Sequence, residues 1–126
     1  MTALEHARAI AEQLVQESPN DTRRLAILGE LLAALGEKEA AIAEGKRATE
    51  LLPESEDVYD GPEITCRLAQ IYALTGESDE AFRLLDHLLE VPNGLTVAML
   101  KLEQAWEPLR KDPRFRALID KYAANR

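Results

Sequence analysis

His6, Cys66 and His87 are the side chains of this chain best suited to act as base, nucleophile or metal ligand near neutral pH. The run PESEDVYDGPE at 53–63 adds the carboxylates Glu54, Glu56, Asp57, Asp60 and Glu63 with no base nearby in sequence. Five acids in one stretch suggest a calcium loop. Such a loop needs alternating acidic ligands, then glycine, then a distant glutamate, and this spacing is absent. The two histidines are far apart, and neither sits in an H-x3-H or H-E-x2-H arrangement, so zinc ligation and metal-assisted hydrolysis lack their usual frame. A single cysteine makes neither an internal disulfide nor a cysteine-based zinc site. Glycine-rich phosphate loops, a nucleophile elbow and a redox cysteine pair are all missing. The residues predict no catalytic, cofactor or metal site. His6 and His87 read as surface histidines, and Cys66 as a small buried or groove-facing thiol. The acidic run reads as a solvated loop with a turn at Asp60–Gly61 and Pro62 at the first helical position.

The elements that carry these residues are helical. Alanine, leucine and glutamate dominate, aromatics are 5%, and β-branched residues are sparse, a composition that favours an all-α fold. At 126 residues the chain is one domain, 1–126. Its formal charge of -8 opposes non-specific binding to nucleic acid or anionic lipid, which both need exposed cations. Residues 1–100 hold 19 acidic and 8 basic side chains, whereas residues 101–126 hold 4 and 7, so the chain is polar end to end. No apolar run approaches the roughly 20 residues that span a bilayer, and one cysteine fits a reducing, cytoplasmic setting.

The helices repeat. With Pro19 placed over Pro53, Ala7 falls on Ala41, Ala11 on Gly45 and Leu14 on Ala48. A second step, longer by six residues, brings Leu28 onto Leu68, Gly36 onto Gly76, Ala41 onto Ala81 and Ala48 onto Leu88. Leu25, Leu28, Leu32 and Leu35 recur at three and four residues, as one helix face requires, before Gly36 ends the helix. A second series, Ala41, Ala48 and Leu52, runs until Pro53 stops it. Small residues at Gly29, Ala41, Gly45 and Ala48 let the two helices approach closely. In the next copy Leu68, Ile71 and Tyr72 face one side, Gly76 breaks the chain, and Ser78 is the expected N-cap. Ala81, Leu84, Leu85, Leu88 and Leu89 then form an apolar stripe that one hairpin cannot bury alone.

The first copy reads Leu25-x2-Leu28-Gly29-x2-Leu32, Ala41-x3-Gly45, Pro53, and the second Thr65-x2-Leu68-Ala69-x2-Tyr72, Ala81-x3-Leu85, Pro92. Both resemble the tetratricopeptide repeat, over about two thirds of the chain. The resemblance implies an α-solenoid of helical hairpins: a half repeat at 2–19, repeats at 22–55 and 62–92, and C-terminal capping helices at 96–126. Thr96 caps the first of these, Pro108 interrupts, and Asp112–Pro113 opens the last. The string AWEPLRKDPRFRALI is similar to the tail of tetratricopeptide regions in bacterial multidomain regulatory proteins, with Trp106 and Phe115 closing the end of the stack.

In that family the first helices of successive repeats line a concave groove for a protein or peptide partner. The positions that face it correspond here to Arg23, Ala26, Glu30 and Ala33, and to Glu63, Cys66, Gln70 and Ala73. The subgroup that grips chaperone C-termini carries a lysine where Ala26 and Cys66 stand and an asparagine where Glu30 and Gln70 stand, so that partner class is disfavoured. The resemblance implies a non-enzymatic interaction scaffold. The alternative is a self-associating or intramolecular structural and regulatory module of a larger bacterial protein with no separate peptide ligand, because 2–19 matches only the second helix of a repeat. Its apolar face, Ala7, Ile10, Ala11, Leu14 and Val15, is then either covered by other protein, from a longer parent or a second copy of the chain, or packed wholly on the first full repeat.

Overall fold

A computed structural model describes residues 2–123, so the outermost positions of the expected 1–126 unit, residue 1 and residues 124–126, lie outside it. Among the described residues every regular element is helical. They run α1 (Ala3–Glu17), α2 (Thr22–Ala34), α3 (Lys38–Leu51), α4 (Gly61–Leu74), α5 (Ser78–Glu90), α6 (Val97–Leu102), a 3-10 helix (Gln104–Leu109) and α7 (Pro113–Ala123). From α1 to α5 each helix packs on the next, and α4 also packs on α2. α2 therefore pairs with α3 and α4 with α5, and the two pairs lie side by side.

Local chemistry sets the helix ends. Thr2, Asp21 and Thr96 place a side-chain oxygen on first-turn amides of α1, α2 and α6, at 3.1 Å for Glu5, Arg23 and Met99. Gly36 and Gly76 take φ of 83° and 81°, and the amides behind them return to Leu32 and Tyr72, both at 2.9 Å. This left-handed cap closes a helix and turns the chain back. One expectation shifts by a residue. Ser78 is the first helical residue of α5 rather than its cap, because the Glu77 carbonyl already accepts from the Ala81 amide at 3.0 Å.

The inserted segment also differs from its sequence reading. The turn lies at Asp57–Asp60, where the Asp57 carboxylate accepts from the amides of Tyr59 and Asp60 at 3.0 and 2.9 Å. Gly61 is already inside α4, and a β-carbon there would stand 2.8 Å from the Glu54 α-carbon. Close approach to the loop explains that glycine better than turn geometry does.

α2 and α3 meet across Gly29 and Gly45. A β-carbon on Gly29 would lie 3.1 Å from the Ala41 carbonyl oxygen and 2.8 Å from the end of Ile71. Leu25, Ala26, Ala48 and Ile64 form one apolar cluster, and Leu28, Leu32, Ala33, Ala41 and Ile71 another. The largest cluster joins α4 and α5 to Trp106, Leu109, Phe115, Leu118 and Ile119. Trp106 is 0% exposed, and its indole nitrogen donates to Glu103 at 3.2 Å. The C-terminal elements thus share the core of the second hairpin.

Candidate functional site

The residues expected to line a groove divide by burial. Ala26, Ala33 and Ala73 are buried in the apolar clusters and offer no surface to a partner. Their small size serves helix approach. Arg23 is exposed, while Glu30, Glu63, Cys66 and Gln70 are half-buried on α2 and α4.

Three of these are joined by a residue that sequence reasoning did not single out. Arg23 donates through Nη2 to Glu63 at 2.8 Å. Arg67 reaches the same carboxylate at 3.4 Å and spends its other terminal nitrogen on Glu30 at 2.9 Å. The result is a row of alternating charge, Arg23, Glu63, Arg67, Glu30, laid across α2 and α4. The Glu63–Arg67 spacing of four was visible in the sequence as a helical ion pair. That Arg67 also bridges to α2 depends on how the hairpins stack.

The electrostatics of the row are set by burial. Desolvation raises the Glu30 carboxyl above its ordinary value, and the Arg67 guanidinium only partly offsets this. The Arg67 Nε is buried without a hydrogen-bond partner. Burial pushes the Cys66 thiol up to about 12, and the Glu103 and Glu30 carboxylates add to the effect. A thiol so protonated is a poor nucleophile and metal ligand near pH 7.

An open cleft of about 630 Å³ lies between α3, α4 and α5. His87 is exposed on its rim, 2.8 Å from Glu54, which also accepts from the Thr65 hydroxyl at 2.7 Å. Here the carboxylate stands between imidazole and hydroxyl. A nucleophilic relay needs the imidazole in the middle, taking the proton from the hydroxyl, so this trio ties the inserted loop to α4 and α5 without activating Thr65. Glu54 is therefore not a free solvated acid, as the lack of a base nearby in sequence suggested. Among the described residues no three His, Cys, Asp or Glu side chains come together as a metal site, and no helix is long and apolar enough to cross a membrane.

Comparison with protein-family models, with curated proteins and with solved structures finds no match.

Proposed function

We propose that the chain is a non-enzymatic interaction scaffold of tetratricopeptide type, which binds a protein or peptide segment along the face shared by α2 and α4. The observation that carries this reading is the charge row itself. Arg23, Glu63, Arg67 and Glu30 come from equivalent helices of two hairpins that end on matching left-handed glycines. A surface with both signs in alternation presents donors and acceptors in a fixed register, which suits an extended segment with its own backbone and charged groups. Gln70 continues the face on α4 with a neutral donor and acceptor. The two carboxylates on the row disfavour a partner that docks through a free terminal carboxylate.

A random peptide library displayed on phage and selected against the chain tests this directly. Bound sequences are expected to lose at least about tenfold in affinity on Arg23→Ala and on Glu63→Ala. They are expected to bind His87→Ala unchanged. Selected peptides that ignore both substitutions on the row, or that depend on His87, contradict the placement.

A further inference from the structure

One flank of α1 has no partner among the described residues. Ala11 is buried and Val15 half-buried in the clusters that α2 shares, whereas Ile10 is 50% and Leu14 38% exposed. Ala3, Ala7, Ile10 and Leu14 are spaced four, three and four residues apart and form one stripe down the helix. On α2, Ile27 is also exposed, one turn before Leu31, which packs with the cluster holding Ala11 and Val15.

The stripe is complementary to itself. Its order is small, small, large, large, with a midpoint between Arg8 and Ala9. When a second copy lies antiparallel across that point, Ala3 falls opposite its Leu14 and Ala7 opposite its Ile10. Each large side chain then meets a small one, which avoids both overpacking and a void. A parallel pair instead sets leucine on leucine and alanine on alanine.

Charge favours the same orientation. α1 ends at Glu17 with no basic residue in its last turn, so an acid sits at the negative end of the helix dipole. The antiparallel pair brings this end beside the N-terminal end of the other α1, where the dipole is positive. His6 and Gln13 border the stripe on its open side and carry no negative charge, while Glu12 is drawn to Arg8 at 3.3 Å.

We propose that the chain forms a two-fold symmetric dimer through antiparallel α1 helices, with the axis at the Arg8–Ala9 peptide. This surface is separate from the α2–α4 face and stands whether or not that face binds a partner. A helix of 15 residues is about 22 Å long, and one side of it covers less than the roughly 800 Å² per partner of a standard interface. The dimer is accordingly of the weak, transient class.

Sedimentation equilibrium of the chain from about 10 to about 500 µM tests the proposal, with Leu14→Lys and Ala3→Glu as the probes and circular dichroism to confirm that both stay helical. Both sites are exposed, so the fold is expected to persist. The unaltered chain is expected to pass from monomer to dimer, and Leu14→Lys to weaken the dimer at least about tenfold. In the antiparallel register position 14 of one chain faces position 3 of the other, so the opposite charges of Leu14→Lys and Ala3→Glu meet and fluorescently labelled Leu14→Lys is expected to return to a dimer when mixed with Ala3→Glu. A chain that stays monomeric throughout, open-ended assemblies larger than a dimer, a dimer indifferent to Leu14→Lys, or a mixture that stays dissociated would each overturn it.

Discussion

Arg67 on α4 donates across to Glu30 on α2 and along its own helix to Glu63. Its removal strands Glu30, which burial already pushes toward the neutral form. Arg67→Met is therefore expected to lower stability by about 1–3 kcal/mol in urea unfolding, while Glu30→Gln, which keeps the shape and drops the charge, changes it by less than about 0.5 kcal/mol. The pH dependence has a definite sign. A carboxyl whose folded pKa lies above its unfolded one stabilises the fold when protonated. Between neutral pH and 4.5, the ordinary value for Glu30, the unaltered chain should gain stability relative to Glu30→Gln as pH falls, then level off below it. Partners 37 residues apart leave no local trace in a sequence, which is why Glu30 was legible as a groove-facing position but its bridge to Arg67 was not. The same holds for Glu54 and His87, joined over 33 residues.

Helix pairs were the most readable level, because their causes are local. Leucines at three and four residues set the apolar faces, and the glycines at 36 and 76 adopt the conformation expected of them. Small residues misled at this scale. An alanine on the first helix of a hairpin fits equally a groove floor and a contact between helices, and Ala26, Ala33 and Ala73 are of the second kind. The close approach of α2 and α3 makes a further distinction that sequence cannot. A β-carbon on Gly45 meets only the flexible ends of Ile71 and Leu68, both at 2.9 Å, whereas one on Gly29 also presses on the backbone oxygen of Ala41. Alanine gains about 1 kcal/mol of helix propensity over glycine at either site. Gly29→Ala is thus expected to destabilise by about 1–3 kcal/mol, and Gly45→Ala to lie within about 1 kcal/mol of the unaltered chain. Equal losses in thermal unfolding would mean that the helices do not cross where Gly29 meets Ala41.

Across the whole molecule the two hairpins and the C-terminal elements form one packed body, held at its far end by Trp106, Phe115 and the Tyr122 hydroxyl, which donates to the Asp86 carboxylate at 2.6 Å. The acidic excess lies before residue 100 and the basic excess after it, so the α2–α4 row sits within the negative part of the chain yet carries two arginines. Amide chemical shifts of the labelled chain, followed as a peptide selected against it is added, report most directly where a partner docks. The shifts should centre on Arg23, Glu30, Glu63, Arg67 and Gln70. Shifts centred instead on Lys46, Glu54 and His87, in the cleft between α3 and α5, would place the binding face on the other side of the hairpins and contradict the proposal.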